Sequence, residues 1–375
     1  MEWLAIIIPL LVVGGLWVFY KAEITIVEAL VPPIIIAGLI LLFNFLAEKN
    51  LTASEEYWTG YIVDTRYYED WNEYIQQTCT ETYACGSDAN GNTTYCTRTY
   101  DCSYVDYHSE YWQMNDNNGI SFRISKSKYN YLVHKFGGKK LFVDMRRDYH
   151  SNDGDMYKTI FTGPDKDMEI VTSLHKYENR VQASNSVFKF RDIKPEQIER
   201  YGLYEYPEVS RDHKQRHILG VTDKNSERKM EILNAKLGKK KQVKLFIFFY
   251  DYSSSTAGEF QRDYLVGGNK NEFILCLGKD SISNKINWVY PITWNTNKIL
   301  GIKIRDKILD NPEIKLSELI DFLYTNIEKD FKRKEFKDFE YLEVELPVKY
   351  TIILWIITAI ISIGLGIFII KNDIR

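Results

Sequence analysis

The sequence predicts an α+β, membrane-anchored protein, with two bilayer-crossing helices at the N-terminus, one at the C-terminus, and a mixed α/β extracytoplasmic region between them. Three observations carry this. Apolar runs at Trp3 to Tyr20, Ala29 to Leu46 and Tyr350 to Ile370 each approach the roughly 20 residues that a helix needs to cross a bilayer. Four cysteines, Cys79, Cys85, Cys96 and Cys102, lie symmetrically about Asn90-Gly91, the strongest short hairpin signal. After Ser226, helical patterns alternate with continuous apolar strands. The resulting division is an N-terminal transmembrane hairpin (1–48), a β-rich domain (49–225) carrying a hairpin arm (79–102), an α/β domain (226–346), and a C-terminal transmembrane helix with a short tail (347–375).

The first apolar run follows only Met-Glu, with no basic segment and no small-residue cleavage site, so it reads as a retained helix. Pro32-Pro33 would kink or break the second run, or make it re-entrant; neighbouring helices accommodate such prolines in a membrane, and three crossings are expected. Placing Lys21, Lys371 and Arg375 in the cytoplasm satisfies the positive-inside bias and puts the region between the helices outside. Ser362 and Gly366 offer a small-residue face for helix packing. With 375 residues and a net charge of -3, the chain has no electrostatic case for binding nucleic acid.

Folding the chain at Asn90-Gly91 sets Cys85 opposite Cys96 and Cys79 opposite Cys102, within disulfide reach. Two staples on one hairpin place this domain in an oxidising compartment. The rungs lie roughly 20 Å apart at about 3.3 Å per residue, too far for four sulfurs to gather on one zinc ion. A folded-over metal site and free thiols remain the competing readings. Cys276, outside the hairpin, is expected as a buried thiol.

From Glu55 a long strand leads into the arm, and the return path turns at Asn118-Gly119 into a further strand, a meander. Tyr129, Leu132, Val133 and Phe136 mark a short amphipathic helix stopped by Gly137-Gly138. Asp148, Asn152, Asp153 and Asp155 surround Gly154 with oxygen ligands suited to calcium, without EF-hand spacing; a plain polar turn is the other reading, and His150 beside them is an isolated loop histidine. Residues 170–193 read as two strands, and Pro195 opens a short helix.

In the α/β domain, Ser226 to Gly238 reads as a capped helix with Met230, Leu233 and Leu237 on one face and a glycine stop. LFIFFYDY, EFILCLG and INWVYPITW read as buried strands of a mixed sheet, with helices between and after them. The order of strand LFIFFYDY, helix, GGNKNEFILCLG, strand and two closing helices, over about 240–335, resembles the TPM domain found in membrane-anchored extracytoplasmic proteins and thylakoid-lumen phosphatases. INWVYPITW departs from the charged, glycine-rich run usual there. By position, the resemblance implies metal or phosphate ligands at Asp251, Asn269, Asn271 and Glu272. Ligands in open α/β sheets bind beyond the strand carboxyl ends, so Asp251 with Ser253 to Ser255 makes a candidate mouth; a helix cap is the competing use of the same residues.

Two functions follow as expectations. One is a non-enzymatic interaction or assembly protein, self-associating or docking another membrane protein through the arm, with the lipid bilayer as its other partner. The alternative is a metal-dependent phosphatase or hydrolase centred on Asp251. The sequence identifies no cofactor and no Ser-His-Asp, HExxH or Walker pattern in a supporting context.

Overall fold

A computed structural model describes residues 2–20, 26–87, 90–137, 139–145, 154–184, 190–280, 282–283 and 285–372. Three apolar helices pack together: α1 (Ile7–Tyr20, entered by a 3-10 segment Glu2–Ile6), α2 (Ile26–Leu51) and the C-terminal Val348–Asn372 helix, α9 once those between are numbered. Ala5, Ile36, Ile40 and Leu354 form their shared core. A Cβ on Gly366 would stand 3.1 Å from Val12, so the small-residue face expected there does bring two helices close. Helix α2 runs on through Pro32 and Pro33 without a break. The segments Leu30–Leu51 and Val348–Ile369 are long and apolar enough to cross a membrane.

Strand β1 (Ala53–Tyr68) rises directly from α2 and organises the first layer. Its first half pairs antiparallel with β10 (Ile170–Glu178). Past an irregularity between Ile62 and Asp64, its second half pairs with β6 (Tyr111–Asp116) on one side and β9 (Met156–Ile160) on the other. Strands β7 (Ser121–Ile124) and β8 (Lys140–Val143) complete the edges. The meander thus follows the turn at Asn118-Gly119, where Gly119 has φ 91°. Helix α3 (Lys126–Phe136) buries Tyr129, Leu132 and Phe136 against this sheet; Ser125 caps its start and left-handed Gly137 its end. Among the described residues, β10 is the one strand found of the two expected after 170. Arg180–Ala183 is a 3-10 turn instead, and residues 185–189 lie outside the described set.

Between β1 and β6 the chain leaves the sheet as a long ribbon. Strands β2 (Trp71–Ile75) and β5 (Tyr104–His108) form its root, and β3 (Thr78–Ser87) and β4 (Thr93–Asp101) its outer part.

The second layer holds parallel strands β11 (Ile218–Leu219), β12 (Lys244–Tyr250) and β13 (Glu272–Lys279), then antiparallel β14 (Ile286–Thr293). Because β11 pairs with β12, this sheet reaches back before residue 226, and Tyr201 and Tyr204 pack on it as well. Side chains alternate along β12. Leu245 and Ile247 face α5 (Lys224–Lys241), α7 (Lys298–Asp310) and α8 (Leu316–Asp330). Phe246, Phe248 and Tyr250 face the side of α6 (Thr256–Tyr264), beyond which α4 (Pro195–Tyr201) lies. Covering both faces with helices is what allows an uninterrupted apolar strand. Helix α5 differs from expectation at both ends. Asp223, three residues before Ser226, is the cap, accepting from the Asn225 and Ser226 amides, and the helix passes Gly238 to end at Gln242, φ 50°. Gly238 serves packing instead: a Cβ there would lie 2.0 Å from the Thr59 carbonyl oxygen, so glycine lets α5 rest on β1.

Candidate functional site

The arm is the continuation of the first hairpin. One antiparallel register runs from Asp64–Asn115 through Tyr68–Tyr111, Trp71–His108 and Ile75–Tyr104 to Thr78–Asp101 and Ala84–Tyr95; the Cys102 amide donates to Gln77 O at 3.0 Å across the short gap between ladders. Seventeen residues of ribbon, Trp71 to Ser87, reach roughly 55 Å at about 3.3 Å per residue. Its root is gripped by aromatic stacking, Tyr68 on Tyr111 at 4.4 Å and Trp71 on His108 at 4.4 Å. Gly154, φ 63°, lies so close that a Cβ would touch Trp71 at 2.7 Å. Asp155 accepts from the Met145 amide at 3.1 Å; the other calcium candidates, Asp148, Asn152 and Asp153, and also His150, lie outside the described residues.

Both expected disulfides are present, Cys79–Cys102 with Cα atoms 5.7 Å apart and Cys85–Cys96 at 5.6 Å. The register differs from the sequence expectation. Cys79 faces Tyr100 and Cys96 faces Tyr83, with an irregularity at Cys85 between Ala84 and Gly86. Each bridge therefore runs diagonally, to a residue two places further along the facing strand. Side chains two apart share a face, so the pairing survives the shift. The strands also stop short of a two-residue turn: β3 ends at Ser87 and β4 begins at Thr93, with Gly91 at φ 83° near the tip.

One face of the outer arm carries the disulfides, Tyr83, Tyr100 and a Glu81–Arg98 ion pair. The opposite face presents Thr80 against Thr99 and Thr82 against Thr97. Strands β3 and β4 pair with each other and with no other described strand. Tyr95 is 67% exposed and Tyr107 61%.

The four proposed metal ligands do not converge. Parallel pairing sets Lys244 beside Glu272 and Tyr250 beside Gly278. Asp251 consequently leaves the carboxyl edge of the sheet, while Asn269, Asn271 and Glu272 sit at the amino edge, about 20 Å away along a seven-residue strand. Asp251 is exposed, and Ser255, at the start of α6, makes no side-chain cap hydrogen bond. Among the described residues, no group of three or more His, Cys, Asp or Glu side chains is placed to hold a metal ion. Glu272 instead accepts from the Asn269 amide at 2.8 Å, from Asn269 Nδ2 at 3.0 Å and from Tyr206 OH at 2.9 Å. Asn271 Nδ2 donates to the Tyr57 carbonyl at 2.8 Å, joining the two layers.

Around that joint lies a buried polar cluster that the sequence reading missed. Lys244, fully buried, donates to Gln215 Oε1 and reaches Thr172 Oγ1 at 3.5 Å, with its ammonium over the rings of Tyr57 and Phe246. Burial pushes its ammonium down to about 7, against the pull of the Glu272 and Glu227 carboxylates. Burial raises Glu272, opposed by its hydrogen bonds from Asn269. His217 is lowered by burial while Glu227 pulls the other way through a 3.2 Å contact to Nδ1. A lysine opening an otherwise apolar strand was the available signal. Cys276 is buried as expected, its thiol pushed up to about 12 by desolvation.

No protein-family model, curated protein or solved structure matches the chain.

Proposed function

We propose that this is a multi-pass membrane protein whose large domain lies outside the cytoplasm and assembles with further copies of itself through the stapled arm. Two long apolar helices and two disulfides in the intervening region support the placement. The third crossing rests on length. Five 3-10 residues and fourteen α-helical residues together span about 31 Å, matching a hydrocarbon core of about 30 Å. Outward-facing Leu41, Phe45, Ile356 and Ile360 are exposed, and a band of that kind is suited to lipid.

The observation that carries the docking reading is a stiffened two-stranded ribbon with both outer edges unpaired and its tyrosines exposed. Natural proteins blunt free strand edges with charge, proline or cover. The charged pair of the outer ladder, Glu81 and Arg98, is internally neutralised, so two arms meet without like-charge opposition there. Copies held in one bilayer present their arms at one height, which raises their effective concentration. No observation favours the hydrolase reading, since Asp251 stands apart from its intended partners.

The test is the mass of the detergent-purified assembly with residues 80–101 deleted. The expected outcome is a smaller assembly whose thermal unfolding matches the parent's. An unchanged mass overturns the docking role.

A further inference from the structure

Where α2 passes into β1, an open pocket of about 480 Å³ is lined by Phe45, Lys49, Lys176 and Arg180 together with the carboxylates Glu48 and Glu178. Phe45 and Lys49 stand four residues apart on one face of α2, about 6 Å along its axis. The floor therefore continues the apolar outer face of the helix, while the rim sets three cations against two carboxylates. Lys49 and Lys176 are exposed and have no ion-pair partner among the described residues. Arg180 is already held by Glu48 at 2.6 Å and Glu178 at 2.7 Å. The Lys49 ammonium rests 5.8 Å from the Phe45 ring centroid, and together with Lys176 and Arg180 it leaves the rim net positive against the Glu48 and Glu178 carboxylates. Asn50 Nδ2 donates to Tyr350 OH at 3.3 Å beside this cavity, at the height where polar and aromatic groups succeed the apolar runs of α2 and α9.

We propose that this cavity binds the phosphate headgroup of an anionic glycerophospholipid, with Lys49 and Lys176 on the phosphate and the first acyl segment along Phe45. The proposal rests on the membrane placement above. An apolar floor at Phe45 under a net-positive rim selects a lipid over free phosphate, because inorganic phosphate leaves the apolar surface wet. Each lysine close to an anionic headgroup contributes on the order of 1 kcal/mol, which corresponds to about fivefold per side chain.

The experiment uses the full chain reconstituted in phosphatidylcholine nanodiscs doped with spin-labelled phosphatidylglycerol or spin-labelled phosphatidylcholine. The expected result is a several-fold preference for phosphatidylglycerol, lost in Lys49→Gln/Lys176→Gln and retained in Lys349→Gln. Lys349 is exposed near the same height but outside the cavity. Equal loss in Lys349→Gln overturns the site in favour of diffuse charge, and equal protection by inorganic phosphate alone overturns the lipid assignment. Failure of the chain to insert into neutral phosphatidylcholine discs is a separate outcome and refutes the membrane placement itself.

Discussion

The arm and the second-layer sheet are both built of β-strands, yet they are held in opposite ways. Strand β12 is buried on both faces, with Phe246, Ile247 and Phe248 wholly out of solvent. Strands β3 and β4 bury almost nothing and depend on two covalent bridges. An isolated two-stranded hairpin is marginal in water, whereas a covered sheet draws its stability from apolar area removed from solvent. The contrast separates a region held by burial from one that stands exposed and is held by covalent bridges.

The largest effect is expected in the buried sheet. Phe246→Ala removes a fully buried ring and should destabilise the region between the apolar helices by about 4 kcal/mol, read by denaturant unfolding. A loss under 1 kcal/mol would mean that β12 is less tightly enclosed than the contrast requires.

Reduction of the disulfides should act on the other member alone. Loop-closure entropy for separations of 23 and 11 residues gives about 3 kcal/mol per bridge. The expected readout is rapid proteolysis between 78 and 101 with the main unfolding transition unmoved. A matching drop in that transition would show that the arm supports the body.

A pH series sharpens the comparison at the joint between layers. The Lys244 ammonium, held near 7 in the folded chain by desolvation, titrates near 10.4 when unfolded. The unfolded state therefore binds more protons between those values, and stability must rise with pH across that window. From pH 7 to 9 the rise should reach roughly 2 kcal/mol, vanish in Lys244→Met, and leave the arm's proteolysis unaffected. Persistence of the slope in the variant would assign it to another group.

The smallest effect probes the helix that carries the joint. Asp223→Ala removes the cap on α5 and should cost about 1 kcal/mol, with assembly mass unchanged.

Much of this architecture was legible because its signals are local. The cysteine spacing named the bridges, since the observed ladder is shifted by two residues and an even shift keeps both partners of each bridge on one face. Uninterrupted runs such as Leu245 to Phe249 announced strands covered on both sides, and Gly137 marked the end of α3; its cap at Ser125 was read only from the structure. The register itself was not legible: one extra residue at Cys85 shifts the ladder, and no feature of TYACG announces a bulge.

The sequence by itself indicated which thiols pair, which runs are apolar enough for lipid and which strands are buried, because the last two depend on neighbouring residues and the first on spacing about a single hairpin turn. Only the tertiary structure decided that Asp251 and Glu272 lie at opposite edges of one sheet, and that Lys244 is sealed between two layers. Those outcomes follow from the parallel order of β12 and β13 and from contacts such as Asn271 with Tyr57, 214 residues apart, where strand order and docking, not local preference, set which side chains meet.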